Sequence, residues 1–202
     1  MPLIENTLNV LMLWAVIGYL AGSVPFGMVM ARVMGLGNLR DIGSGNIGAT
    51  NVLRTGSKPA AAATLVLDAA KGAIVLLIAR ATAGEDAAQV AALAAMIGHC
   101  YPVWLKFNGG KGVATFLGIV LALAWPVGIV CCALWLLGAA VSRMSSVGGL
   151  LSAAASSMAV LLMGYGTAYL LCIVLSGIVI WRHRGNIRRI RTGDEPKIGE
   201  KK

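Results

Sequence analysis

Apolar runs of the length that a helix needs to cross a bilayer, about 17 to 25 residues, make up most of this chain. Of its 202 residues, 58% are hydrophobic and 12% are charged, against roughly 25% charged residues in an ordinary soluble domain. A water-soluble globule of this size would lack the polar side chains that cover a surface. The sequence therefore predicts an all-α polytopic membrane protein.

Seven transmembrane helices are predicted, some of them short or broken. Pro25 should break the first run, because proline lacks the amide hydrogen that a helix needs. Pro126 should divide a run that is too long for one span into a short helix and a fuller one. The predicted spans are residues 10–33, 59–83, 87–105, 113–124, 126–141, 147–163 and 165–181.

The positive charges predict the orientation of these spans. Fifteen of the 17 lysines and arginines fall in loops on one side of the seven-span arrangement, and short basic loops face the cytoplasm. We therefore expect the N-terminus outside and the C-terminus in the cytoplasm. Residues 1–193 are predicted to form a single integral-membrane domain, and residues 194–202 a flexible cytoplasmic tail.

Several classes of protein are disfavoured by composition. The four cysteines lie in or beside apolar runs, without the CxxC spacing or the histidine clusters of disulfide-rich or zinc proteins. Glu5 is the only charged residue before the first apolar run, so we expect a retained span rather than a signal peptide. No metal, no cofactor and no nucleic-acid partner are predicted.

The first predicted cytoplasmic loop, residues 36–58, is rich in glycine and hydrogen-bond donors. Glycines allow backbone amides to converge on an anion, and an arginine can bind a phosphate with two parallel hydrogen bonds. This composition predicts a phosphate-binding loop. Its candidate residues are Ser44, Gly45, Asn46, Gly48, Thr50, Asn51 and Arg54.

A second glycine-rich segment precedes the apolar run at residue 113. Gly109, Gly110, Lys111 and Gly112 would present backbone amides and a cation at a helix N-terminus, where an anion is favoured. The segment lacks the GxxxxGK[ST] pattern of nucleotide-binding loops. His99 comes shortly before it and is a candidate for a chemical role.

A third basic segment, residues 182–191, follows the last predicted span. Most of its arginines suit a lipid headgroup anchor, whereas Asn186 and His183 are not required by an anchor. We predict Asn186 as a further donor in the site, and Ser146 as another.

Inside the second span, Asp68 and Lys71 are three positions apart and can pair on one helix face. We expect this pair to support the site structurally.

Three stretches together resemble one family. GSGNIGATN at 43–51, GHCYPVWLKFNGGKGVAT at 98–115 and RHRGNIRRI at 182–190 are closely similar to the bacterial acyl-phosphate:glycerol-3-phosphate acyltransferases, the PlsY family. The resemblance implies a multi-pass enzyme of the bacterial inner membrane whose active site faces the cytoplasm. Its substrates would be acyl phosphate and glycerol 3-phosphate, and its products lysophosphatidic acid and phosphate. It also implies functional coupling to an acyl-phosphate-forming enzyme and contact with membrane lipids; we expect a monomer.

The family's site residues all have counterparts here. The resemblance carries over to Ser44, Asn46, Thr50, Arg54, His99, Lys111 and Asn186. We expect Arg54 and Lys111 to hold phosphates, and Ser44, Asn46 and Asn186 to orient them. His99 is one candidate for the base, and a phosphate oxygen of a substrate is the other. The HxxxxD pattern of other glycerolipid acyltransferases is absent from the sequence.

Two alternative functions use similar residues. A transporter or flippase for a phosphorylated solute or lipid would also combine broken helices with basic residues, but it would need polar groups near the bilayer midplane. A metal-dependent phosphotransferase would need several aspartates, and Asp41 is the only acid in the first three cytoplasmic loops.

Overall fold

The computed structural model describes residues 1–199, and this part of the chain is helical throughout, without strands. Three short 3₁₀ turns, at Leu39–Asp41, Val103–Leu105 and Gly166–Ala168, lie in the connections. The nine α-helices are α1 (Leu8–Ser23), α2 (Phe26–Val33), α3 (Ala49–Leu53), α4 (Lys58–Cys100), α5 (Val113–Leu123), α6 (Trp125–Ser142), α7 (Ser145–Leu162), α8 (Tyr169–Arg182) and α9 (Arg184–Thr192).

Four of the helical segments are long and apolar enough to cross a membrane. They are Leu8–Val33, Lys58–Leu105, Trp125–Ser142 and Ser145–Leu162. The pair Gly166–Arg182 and Arg184–Thr192 would be a fifth, although it is bent by 55°. The all-helical membrane fold is thus confirmed, whereas the number of complete crossings and the orientation of the termini remain predictions.

The longest helix, α4, folds back on itself. Gly84 has a φ of 87°, a left-handed conformation that glycine adopts without steric cost. Asp68 and His99 would be about 46 Å apart along a straight helix, yet their side chains lie 3.6 Å from each other. The helix therefore forms two antiparallel arms on either side of Gly84, which correspond to the predicted spans 59–83 and 87–105.

Glycines let neighbouring helices touch through their backbones. A methyl group at Gly18 or Gly22 of α1 would overlap the carbonyl oxygens of Ala91 and Ala95 in the second arm of α4. Gly118 of α5 meets Ala69 in the first arm in the same way. In lipid, helices gain little from burying apolar surface against each other, so close van der Waals packing at small residues holds them together.

Both predicted proline breaks are present. α1 ends at Ser23 and α2 begins after Pro25; α5 ends at Leu123, with Pro126 in the first turn of α6. Because Pro126 has no amide hydrogen, the carbonyl of Ala122 loses its helical partner. Arg80 of α4 donates a hydrogen bond of 2.8 Å to that carbonyl.

A second cation of α4 binds a backbone carbonyl at the break beside Pro25. Lys71 Nζ donates to the carbonyl oxygen of Val24 at 2.8 Å. Non-helical backbone at membrane depth requires such partners inside the protein. The first arm of α4 therefore supplies the groups that make the breaks in both neighbouring helices tolerable.

The end of the chain differs from the predicted flexible tail. Glu195 is 7% exposed and accepts a hydrogen bond of 2.6 Å from Ser146 Oγ, while the amide of Ile198 donates to the carbonyl of Arg143. Ser146 on α7 and Asn186 on α9 are buried donors that bind the Glu195 carboxylate, and these hydrogen bonds hold the segment against the bundle. The segment is therefore attached to the bundle at Glu195 and Ile198, while Asp194, Lys197 and Gly199 are exposed. Residues 200–202 lie outside the described part of the chain.

The packing of α1 on α4 can be tested at Gly22. In Gly22→Ala the added methyl group meets the backbone of Ala95, so α1 must move away. We expect the free energy of unfolding to fall by about 1–3 kcal/mol, seen as a lower melting temperature in detergent. Gly177→Ala on α8 is the matched control, because no atom lies within 4 Å of a methyl group there. Equal melting temperatures for the two variants would contradict the close contact.

Candidate functional site

One cavity of about 360 Å³ lies at the end of the bundle opposite the Gly84 turn. This volume is in the range of small-molecule binding sites. It joins the loop before α3, the N-termini of α5 and α7, the junction of α8 with α9, and the segment after α9. Of the predicted site residues it is lined by Ser44, Asn46, Gly48, Thr50, Asn51, Arg54, His99, Lys111, Gly112, Ser146 and Asn186.

Asn51 organises the first loop. Its side chain is buried, with Nδ2 donating to the carbonyl of Leu39 at 2.9 Å. Its Oδ1 accepts from the backbone amide of Ser44 at 3.1 Å and from Arg54 Nη1 at 3.3 Å. One amide group therefore fixes the loop around Ser44 and the direction of the Arg54 guanidinium. We assign Asn51 to holding the loop rather than to binding an anion itself.

Gly45 does not line the cavity. Its amide donates to the carbonyl of Ile42, and its carbonyl accepts from Arg40 Nη1 at 3.1 Å. Arg40 also donates to the carbonyl of Asn108 in the second loop. Gly45 thus belongs to the connection between the two loops.

Gly109 and Gly110 of the second loop also lie outside the cavity wall. Their amides donate to the carbonyls of Cys100 and His99, each at 3.1 Å, so neither is free to bind an anion. Arg182 fixes their carbonyl groups, donating to Gly110 at 3.0 Å and to Gly109 at 2.9 Å. These two glycines are needed for close packing, because a methyl group on Gly110 would overlap the His99 ring.

The amides that can meet an anion belong to the start of α5. Gly112 precedes this helix with a φ of 84°, and Val113 and Ala114 line the cavity beside it. The first amides of a helix have no partner within the helix, and its dipole favours an anion there. The predicted anion site therefore lies about two residues further along the chain than the first glycines suggest.

The charge of the site is predominantly positive. Lys111 and Arg54 line the cavity, and in the described residues neither has a carboxylate within ion-pair distance. Burial lowers the pKa of Lys111 to about 8; the nearby Glu195 opposes that shift, and Arg189, Arg54 and Arg182 add to it. A cluster of this kind is stabilised by a bound anion.

Glu195 is a site residue that the sequence did not predict. It accepts hydrogen bonds from Ser146 Oγ at 2.6 Å, from Asn186 Nδ2 at 2.5 Å and from Arg189 Nε at 2.9 Å. Burial raises the pKa of Glu195, but hydrogen bonds from Ser146 and Asn186 outweigh burial and keep the pKa below its usual value. The carboxylate therefore compensates part of the positive charge, and the donors of Ser146 and Asn186 point towards it.

His183 and Asp68 also line the cavity. His183 Nδ1 lies 2.8 Å from the carbonyl of Val179, which can only accept, so Nδ1 carries a hydrogen and Nε2 is left for the cavity. The sequence indicated His183 only through its position three residues before Asn186. Asp68 was predicted only as the partner of Lys71 in a pair that supports the site. Glu195 gave no signal, because only the folded chain brings it to the loops.

An apolar groove continues the cavity away from the charged residues. It runs between the first arm of α4, α5 and α6, and it is lined by Leu65, Ala69, Leu117, Gly118, Leu121, Cys132, Trp135 and Leu136. Leu65, Leu121 and Leu136 are exposed, on a surface that faces lipid in a membrane-spanning bundle. The arrangement can hold an anionic group at its polar end and an alkyl chain along the groove.

Comparisons with known proteins agree on one family. The family model described as glycerol-3-phosphate acyltransferase matches residues 12–193. A glycerol-3-phosphate acyltransferase of Roseobacter denitrificans is 67% identical over 200 residues, covering 99% of this chain and 100% of the relative. One of Ruegeria pomeroyi is 62% identical over 201 residues, covering 100% of this chain and 99% of the relative.

Two crystal structures share the fold. Both are of PlsY (YgiH), an integral membrane glycerol 3-phosphate acyltransferase. Its glycerol 3-phosphate form has a TM-score of 0.88 and 37% identity, covering 94% of this chain and 96% of that one. Its lysophosphatidic acid form has a TM-score of 0.85 and 35% identity, covering 94% and 95%.

The charge state of Lys111 can be measured through anion binding. Sulfate keeps its charge between about pH 7 and about pH 9, while a lysine with a pKa of about 8 loses its proton over that range. We expect sulfate affinity, measured by calorimetry in detergent, to fall about tenfold from the lower to the higher pH. Lys111→Arg, whose guanidinium stays protonated, should show a flat profile. The same decline in both proteins would assign the effect to another group.

Proposed function

Because this chain belongs to the glycerol-3-phosphate acyltransferase family, an integral membrane enzyme of phospholipid synthesis, we propose that its acyl donor is acyl phosphate. The enzyme transfers the fatty acyl group to the 1-hydroxyl of sn-glycerol 3-phosphate. The products are lysophosphatidic acid and inorganic phosphate. The reaction takes place on the cytoplasmic side of the bacterial inner membrane.

The continuity of a cationic pocket with an apolar groove carries this proposal. Both substrates contain a phosphate group, and one of them also has a long alkyl chain. Arg54, Lys111 and the first amides of α5 suit the phosphates, and the groove beside Leu117 and Trp135 suits the chain. An acyl thioester carries no phosphate group next to its reactive carbonyl, so it would leave part of this positive charge without a partner.

The reaction needs few chemical groups from the protein. The 1-hydroxyl oxygen of glycerol 3-phosphate attacks the carbonyl carbon of acyl phosphate, an ester bond forms, and the bond from that carbon to the phosphate oxygen breaks. Arg54 and Lys111 stabilise the negative charge that develops on the carbonyl oxygen and the departing phosphate. Phosphate is a good leaving group, so a covalent enzyme intermediate is not required.

The hydroxyl proton has two acceptors available. His99 Nε2 faces the second loop and can accept it as a general base. Alternatively, a phosphate oxygen of a substrate accepts it, and His99 only orients the hydroxyl group. Ser44 and Asn46, which also line the cavity, help to orient the phosphate groups in either case.

The surroundings of the enzyme follow from this assignment. Acyl phosphate is made from activated fatty acids, so we infer functional coupling to an acyl-phosphate-forming enzyme. Membrane lipids contact the outer faces of the helices. We expect the enzyme to act as a monomer.

A transporter is the second candidate, and the position of the polar residues argues against it. The cavity lies at one end of the bundle, and the Gly84 turn at the other end is closed by contacts such as the hydrogen bond of 2.9 Å from the Asn6 amide to Asp86 Oδ2. A transport site would need access from both ends.

The donor can be identified with purified enzyme in lipid vesicles. We expect lysophosphatidic acid and phosphate to form only when acyl phosphate and glycerol 3-phosphate are both present. Acyl carrier protein thioester and acyl coenzyme A, supplied instead of acyl phosphate, should give no product. Turnover with a thioester alone would overturn the donor assignment, and movement of glycerol 3-phosphate into sealed vesicles without acylation would favour a transporter.

Kinetics can distinguish the two possible roles of His99, as a general base or as a group that orients the hydroxyl. If His99 is the base, His99→Gln should lower kcat by about 100-fold or more with little change in KM. If it only orients the hydroxyl group, KM for glycerol 3-phosphate should rise while kcat stays near the wild-type value. His99→Ala, which cannot hydrogen-bond at all, serves as the comparison. If kcat and KM are both unchanged in His99→Gln, His99 has no part in the reaction.

A further inference from the structure

A buried group of charged side chains lies directly behind His99. Asp68 is 2% exposed, Lys71 is 7% exposed and His99 is 4% exposed. Asp68 Oδ1 accepts a hydrogen bond of 2.7 Å from Lys71 Nζ, and the same oxygen lies 3.6 Å from His99 Nδ1. Asp68 also lines the cavity, so the group reaches the candidate site.

Lys71 holds Asp68 in place. Its ammonium donates to the carbonyl of Val24 at 2.8 Å and lies 5.7 Å from the centre of the Phe26 ring. Thr115 of α5 donates to the backbone carbonyl of Asp68 at 2.9 Å. The Asp68 side chain is held by Lys71, which is itself bonded to Val24, and the Asp68 backbone carbonyl is bonded to α5, so the carboxylate has one fixed position.

The His99 ring sits between this carboxylate and the second loop. Its Nε2 lies against Gly110, where a methyl group would overlap it. Its Nδ1 faces Asp68 and is the one buried side-chain nitrogen or oxygen in residues 1–199 without a hydrogen-bond partner. A separation of 3.6 Å is slightly longer than a hydrogen bond, and such contacts often shorten when substrate binds.

A helix ion pair alone does not explain this arrangement. Lys71 could pair with a carboxylate at any neighbouring position on that face of α4. The carboxylate of Asp68, however, is also placed next to His99 Nδ1. A carboxylate next to Nδ1 favours the ring form with its hydrogen on Nδ1. Nε2 is then a hydrogen-bond acceptor on the side of the ring that faces the second loop.

We propose that Asp68, fixed by Lys71, is a positioning residue that holds the His99 ring with its Nδ1 hydrogen towards the carboxylate and its Nε2 towards the substrate hydroxyl. The proposal rests on the proposed function, in which His99 contacts that hydroxyl group. It applies whether Nε2 takes the proton or only orients the hydroxyl, because both roles require an acceptor at Nε2.

A double-mutant cycle tests it. Asp68→Asn keeps the shape of the side chain, but an amide can donate as well as accept and no longer selects one ring form. We expect kcat/KM to fall about 10- to 100-fold. In the His99→Gln background the same substitution should change kcat/KM by less than about twofold, because the two residues act as one unit. Glu85→Gln on the same helix removes a carboxylate paired with Arg80 and should leave kcat/KM unchanged in either background.

A second pair of variants separates folding from positioning. If Asp68→Asn leaves Lys71 unpaired and the protein does not fold, Asp68→Asn/Lys71→Met removes both buried charges, a replacement that folded proteins often tolerate. This double variant also loses the hydrogen bond from Lys71 to the Val24 carbonyl, so its melting temperature should fall, but the protein that remains folded in detergent should still have lost activity. Wild-type kcat/KM in either folded variant would overturn the proposal.

The cycle also distinguishes this proposal from the proposed function. An equal fall in the wild-type and His99→Gln backgrounds would overturn the positioning role alone, since Asp68 would then act independently of His99. No effect of His99→Gln itself would refute the contact of His99 with substrate, and with it the role of Asp68. Failure of acyl phosphate as donor would be seen in the wild-type enzyme before any variant is made.

Discussion

Close approach of helix backbones is the constraint on which this structure depends. A bundle in lipid gains little from burying one apolar helix against another, so the helices must come near enough for van der Waals contact along their length. Gly18 and Gly22 on α1 and Gly118 on α5 place the two arms of α4 against both neighbours. The fold-back at Gly84 makes α4 the central pair of the bundle, and the loops of the candidate site lie at the ends of its two arms.

The central helix also supplies the charges that broken helices require. Arg80 binds the carbonyl of Ala122 that Pro126 leaves without a partner, and Lys71 binds the carbonyl of Val24 next to Pro25. The breaks shorten α1 and α5 so that loops with polar side chains can enter one end of the bundle. Lys71 contributes to both functions, because the carboxylate with which it pairs faces His99.

The site combines uncompensated positive charge with an apolar groove. Lys111 and Arg54 line the polar end, and Glu195 neutralises part of the charge through its hydrogen bonds with Ser146, Asn186 and Arg189. In a partly buried site, fixed charges act more strongly than they would in solution. Binding and stabilisation of phosphate groups can therefore rest on a few cations and the start of one helix. In the proposed function, the alkyl chain of the acyl donor lies in the groove beside Leu117 and Trp135.

Much of this protein was determined by local features of its sequence. Apolar runs of spanning length specify membrane helices, Pro25 and Pro126 specify their breaks, and donor-rich loops specify an anion site, because each depends on residues close together in the chain. Most of the predicted site residues, from Ser44 to Asn186, do line one cavity. The tertiary structure alone decided which groups contact each other in the site. The amides of Gly109 and Gly110 donate to backbone carbonyls rather than to an anion. Glu195 enters the site from the segment predicted as a tail, and Asp68 meets His99 across the α4 hairpin. Such contacts join residues far apart in sequence, and their geometry follows from how closely the helices pack.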